Sequence, residues 1–218
     1  MITTRFSGDS PSSNHSMTDP SKSLASERTA TTNIRRIFIV AGFSIAMLVV
    51  QGLGAALPDT VFGLFALYIV VAAGDQVFLG RAPTAEAVDR FQAFGYILDI
   101  TFITIVYTAL GGAWWMGSVL HTLISMAAFV SLPRARARVV AAFAILAFIA
   151  GLFVQAAGFV PEWSFLDAPS MQGNYMLALG AAVLGTVSLL SGIFIQVTIL
   201  RVISRSERRH RFILKAAP

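Results

Sequence analysis

Asp99 and His121 are the residues of this chain best placed to do chemistry inside a membrane. Each stands in an otherwise apolar segment. Asp99 is the one acid deep within such a segment, and His121 is the one histidine within any of them. A carboxyl group in hydrocarbon is costly unless neutral, paired or hydrated, so it marks a candidate site. The two segments are joined by a tight turn at Gly111 and Gly112. In a hairpin symmetric about that turn, position 99 is level with position 124. His121 is then offset by three residues, about 4.5 Å of helix rise. A His–Asp contact is geometrically possible if both residues face one groove. Tyr96, Thr104 and Tyr107 on the first segment add polar surface to it, as does Ser125 on the second. Thr101, Thr108, Ser118 and Thr122 extend it.

Three kinds of chemistry fit such a group. It could hold a proton, bind a quinone-like headgroup, or offer His121 to a tetrapyrrole metal. Hydrogen bonding between helices, as plain packing, uses the same residue types. Bis-histidine haem ligation lacks a second intramembrane histidine, and a zinc or two-metal site lacks ligands. No metal site is therefore expected. The sequence also lacks a phosphate-binding glycine loop, a Gly-x-Ser-x-Gly elbow and a His-Glu-x-x-His helix, so the chain is read as non-enzymatic.

The elements that must carry these residues are apolar helices. Of 218 residues, 56% are hydrophobic and 12% charged, against roughly 25% charged in a soluble domain. Six segments approach the roughly 20 residues needed to cross a bilayer: about 37–54, 60–79, 91–110, 113–132, 139–159 and 175–200. The expected fold is an all-α bundle of six transmembrane helices. A tail at 1–34 precedes the membrane domain at 35–203, and a basic helical extension at 204–218 follows it. The tail is rich in Ser and Thr with few bulky apolar residues, so it is expected to be disordered or bound to a partner.

Charge sets the expected orientation. The sixteen Lys and Arg residues fall in the first tail, the connection after the second segment, the connection after the fourth, and the stretch after the sixth. Arg35 and Arg36 precede the first segment. Arg134, Arg136 and Arg138 precede the fifth, and Arg201 follows the sixth. The remaining connections carry no basic residue. Under the positive-inside rule both termini are then cytoplasmic, in an inner, cytoplasmic-type membrane. Trp114, Trp115, Trp163 and Tyr175 gather at the opposite boundary as interfacial anchors. The basic pI is explained by these flanking arginines, so no nucleic-acid partner is expected. Asp75 and Gln76, near the inner end of the second segment, and Gln155, near the end of the fifth, are expected to be hydrated or bonded to backbone carbonyls. Thr84 is positioned to cap a short helix with Glu86 in its first turn. Ala181, Gly185, Ser188 and Gly192 give the sixth segment small residues at three- and four-residue spacing, where another helix, internal or from another subunit, can approach closely.

The stretch from Ser206 to Pro218, reading Ser-Glu-Arg-Arg-His-Arg-Phe-Ile-Leu-Lys-Ala-Ala-Pro, resembles the linker that opens a PAS domain in bacterial sensor proteins. The apolar helix with Asp99 and the glycine pair, followed by the short Pro133-Arg134 connection, is similar to the membrane region of six-span sensor histidine kinases of the redox-responsive type. Their quinone-associated motif is Gly-Gly-x-x-Asn-Pro-Phe. Gly111 and Gly112 match it, while Trp115, Met116 and Gly117 stand where Asn, Pro and Phe would be. The redox cysteine of those kinases has no counterpart, since the chain has no cysteine. The resemblance implies a sensory input module that ends where an output domain would begin, and so is not itself a kinase. Its expected partners are the lipid bilayer and a homodimer partner or other membrane subunits. Bound lipid is expected, with quinone or a tetrapyrrole pigment as further ligand classes. A structural subunit of a respiratory or photosynthetic complex, and a small-solute transporter, are the alternative functions.

Overall fold

A computed structural model describes residues 36–38, 40–42, 44–45, 48–49, 51–52, 59–82, 84–109, 114–160 and 170–216. Every described residue among 36–52 is helical, and we refer to these together as α1. Five further helices follow: α2 (Asp59–Gly80), α3 (Ala85–Ala109), α4 (Trp114–Ser131), α5 (Arg134–Ala156) and α6 (Tyr175–Ala216). Among the described residues there is no strand.

The helices α2 to α6 are long and apolar enough to cross a membrane, α6 through its portion Tyr175–Ile199. The chain is therefore an all-helical, multi-pass membrane protein with five candidate crossings. The expected first crossing at 37–54 falls partly outside the described residues, as do the tail at 1–34 and Trp163.

Helix α3 organises the bundle because it is apolar on two faces. One face sets Ile100 among Ala128 of α4 and Ala137, Val140 and Ala144 of α5. Another sets Phe102 among Val40 of α1 and Val61, Phe65, Tyr68 and Ala72 of α2. The inward residues of α2, Val61, Phe65, Tyr68, Ala72, Asp75 and Leu79, recur every three or four residues, the repeat of a single helix face. Near one end, Tyr107 of α3 clusters with Phe148 and Leu152 of α5, with Met171 just before α6, and with Ala178 and Ala181 in the first turns of α6.

Two helix starts are longer than the hydropathy suggests. Of the stretch 80–90, read as a loop, residues 85–90 instead supply the first turns of α3. Thr84 Oγ1 accepts a hydrogen bond from the Ala87 N–H at 3.2 Å, so the threonine caps α3 itself rather than a separate short helix. Likewise α5 begins at Arg134, within the expected basic connection. Glu86 and Asp89 of α3 meet Arg136 of α5, at 3.6 Å and 3.1 Å. That contact puts the α2–α3 and α4–α5 connections at one end of the bundle. At the other end the Gly173 N–H donates to Ala156 O at 2.8 Å. Asn174 Oδ1 accepts from the Leu177 N–H at 3.0 Å, capping α6. Gly158 and Gly173, both at φ 73°, supply the left-handed turns there. Trp114 packs against the cluster at this same end, and Trp115 and Tyr175 are exposed.

Candidate functional site: two intramembrane polar clusters

The structure separates the two residues that the hairpin argument would pair. Among the described residues, Asp99 and His121 have different hydrogen-bond partners and belong to different helix seams.

Asp99 faces α1 and α2. Its carboxylate accepts from the Arg36 guanidinium and from the Tyr68 hydroxyl. Arg36 Nη2 also donates to the Gly95 carbonyl at 2.5 Å, and Nη1 lies 3.7 Å from Asp75 Oδ2. The guanidinium carbon stands 5.9 Å from the centre of the Tyr68 ring, within cation–π range. All three charged side chains of this cluster are largely buried. Gly95 makes the approach possible. A Cβ there would meet Arg36 Nη2 at 3.0 Å and Asp75 Oδ2 at 3.1 Å, so even an alanine would require these side chains to shift by a few tenths of an ångström. Tyr68 is held in turn by Phe102, whose ring centre lies 4.2 Å away.

Two expectations are corrected here. Arg36 is not simply a charge flanking a span. Its long side chain lies among the helices and joins α1 to both α2 and α3. Asp75, expected to be hydrated or bonded to backbone carbonyls, is buried at 8% exposure and faces Arg36, because the α2 stripe that buries Tyr68 returns seven residues later to bury position 75. Tyr68 itself was missed by sequence reasoning. The signal was present in the Tyr68–Asp75 spacing, which places a phenol and a carboxyl on one helix face.

His121 lies in the seam of α3, α4 and α5. It is fully buried. Its Nδ1 is 2.6 Å from Gly117 O. A carbonyl only accepts, so Nδ1 carries the proton. In the neutral ring Nε2 is then the acceptor, and it stands 3.0 Å from Thr104 Oγ1. The Thr104 hydroxyl is also 2.7 Å from Ile100 O, so its one proton can serve either acceptor. The Tyr107 and Phe148 rings enclose the imidazole, with centres at 5.7 Å and 5.9 Å. With both nitrogens engaged inside the protein and aromatic rings around it, His121 does not fit axial ligation of a tetrapyrrole metal. Its contacts are those of interhelical packing.

The other predicted polar residues are shared between the seams. Tyr96 OH is 2.8 Å from Ser131 Oγ. The Tyr107 hydroxyl donates to Phe148 O at 2.5 Å. Ser125 is buried on the face of α4 that carries His121, and its hydroxyl has no hydrogen-bond partner among the described residues. Gln155, expected to be hydrated or bonded to backbone carbonyls, is fully buried. Among the described residues, no group of three or more His, Cys, Asp or Glu side chains is arranged to hold a metal ion.

The small residues of α6 serve an internal contact. The Ser118 hydroxyl of α4 donates to Gly185 O at 3.3 Å. A Cβ at Gly185 would strike the Phe148 ring, and one at Gly192 would strike Thr122. Ala181 is buried beside them. Ser188 is exposed, because Leu189 takes the inward position and the preceding residue is turned about 100° from it.

No family model matches the chain, and no curated protein or solved structure matches it either.

Proposed function

We propose that this chain is a non-enzymatic membrane module of the sensory-input kind, which passes rearrangements of its helices to the cytoplasm through α6. The observation that carries the reading is the length of α6. It continues as one helix from Tyr175 to Ala216, while the membrane-crossing portion ends at Ile199. Residues 200–216 add about 26 Å beyond it. In water such an extension gains most of its stability by packing apolar residues on a partner. Its sequence offers apolar positions for that, since Val202, Ile203, Ile213 and Leu214 recur at helical spacing among six basic residues from Arg201 to Lys215.

In this reading both termini are cytoplasmic and the bundle has six crossings, with α1 as the first. Two features support the orientation. The arginine-bearing connections meet at one end through Arg136, and the tryptophans that flank α4 lie at the other. The cluster of Arg36, Tyr68, Asp75 and Asp99 is the natural input point, because it ties α1 to α3, which packs against α2, α4 and α5.

A cysteine scan along residues 200–212 tests the proposal. The chain has no native cysteine, so each introduced thiol reports alone. Oxidation in native membranes is expected to cross-link two copies with maxima three or four residues apart. Absence of self-cross-linking at every position, with the chain recovered only among other subunits, would replace the sensory reading with that of an accessory subunit.

A further inference from the structure

The three arginines that open α5 have different surroundings. Arg136 turns inward to Glu86 and Asp89 and also donates to Glu86 O at 3.3 Å. Arg134 and Arg138 are exposed. They are four residues apart, on one face of the helix and about 6 Å apart along its axis. Among the described residues the ion pairs at this end engage Arg136 and neither Arg134 nor Arg138, and α5 itself has no acidic residue in its first turn and no side-chain cap at Pro133. Positive side chains at the positive end of a helix dipole are unfavourable unless an anion joins them. Below the pair, the same exposed face runs through Val139, Ala142 and Leu146. Val139 and Leu146 are among the most exposed apolar residues of the helix. The surface is therefore cationic at the bundle end and apolar toward its middle, matching in order and spacing a headgroup phosphate above an acyl chain.

We propose that Arg134 and Arg138 form a binding site for the headgroup of an anionic phospholipid, whose acyl chain lies along Val139, Ala142 and Leu146. Arg136 is excluded from it by its ion pairs, and holds the site in place by joining α5 to α3. The site depends on the membrane character of the chain and not on whether α6 transmits a signal.

Native mass spectrometry of the full chain, released from nanodiscs of phosphatidylglycerol or phosphatidylcholine, tests it. Retained phosphatidylglycerol is expected with the native chain. Affinity for it should fall about fivefold for Arg134→Gln or Arg138→Gln and about thirtyfold for the pair, from roughly a kcal/mol for each basic residue at the surface. Phosphatidylcholine retention should not change. Arg81→Gln, an exposed arginine at the same end of the bundle, should leave phosphatidylglycerol binding within twofold. Unchanged binding in the double variant would overturn the proposal. So would an equal loss with Arg81→Gln, which would indicate diffuse rim charge, or displacement of the lipid by inorganic phosphate, which would indicate a free-anion site.

Discussion

At the scale of single residues, Asp99 is defined by what reaches it. Arg36 and Tyr68 come from two different helices and converge on one carboxylate, and Gly95 leaves room for the Arg36 guanidinium. Removing one member of a buried ion pair strands the other charge, whereas replacing the pair by apolar side chains removes both desolvation costs. Asp99→Ala should therefore destabilise the bundle by about 3 kcal/mol, and Arg36→Met combined with Asp99→Leu and Asp75→Asn, which leaves no buried charge stranded, should recover most of that loss. Thermal unfolding in a mild detergent reads both. A triple variant no more stable than Asp99→Ala would show that the cluster is not a coupled unit. The sequence disclosed Asp99 as a site because a lone carboxylate in an apolar run stands out. It did not disclose the partner, because the hairpin argument compared only the two segments flanking the glycine turn. Arg36 lies 63 positions away and reads in sequence as a flanking charge. Only the packing of α1 against α2 and α3 brings its guanidinium to Asp99.

At the scale of helices, the periodic stripes were legible and their exact partners were not. The run of His121 and Ser125 on α4, and of Thr104, Tyr107 and Thr108 on α3, indicated inward polar faces, and the structure places these residues inward or at the seams. The small residues of α6 indicated a close helix approach, yet spacing alone admitted Ser188 where Leu189 belongs. The difference makes a prediction about which positions tolerate bulk. Gly151→Ala would drive a methyl into Tyr107 and Thr108, and Gly185→Ala into Phe148. Each should cost about 1–3 kcal/mol by overpacking. Gly74→Ala and Gly180→Ala meet nothing within 4 Å, and should be neutral or stabilising by up to about 1 kcal/mol, since alanine is the better helix former. Detergent unfolding midpoints of the four variants check the contrast, and equal effects across the set would mean that α3, α5 and α6 are not packed as described. The helix ends were the least legible features. Hydropathy falls where arginines enter, so α3 and α5 seemed to begin at their apolar residues. The Thr84 cap and the Arg136 ion pairs instead extend both helices into the charged connections.

For the molecule as a whole, hydropathy and charge were enough to specify a polytopic helical bundle, because long apolar runs have few other stable arrangements in a membrane. What they could not specify is how a change in one seam reaches another. The structure provides a route: α1 and α2 meet the ion cluster on one side of α3, α4 and α5 pack on its other faces, and α6 leaves the bundle as a single long helix. If the module works as proposed, loosening the Arg36–Asp99 contact should alter the relation between the α6 helices of two copies. The most direct test places a spin label at Val202→Cys, an exposed position just beyond the crossing portion of α6, and measures distances between copies in nanodiscs by double electron–electron resonance. The account predicts a defined intermolecular distance that shifts or broadens when Asp99→Asn is added. No intermolecular coupling, or a distance distribution indifferent to Asp99→Asn, would contradict it.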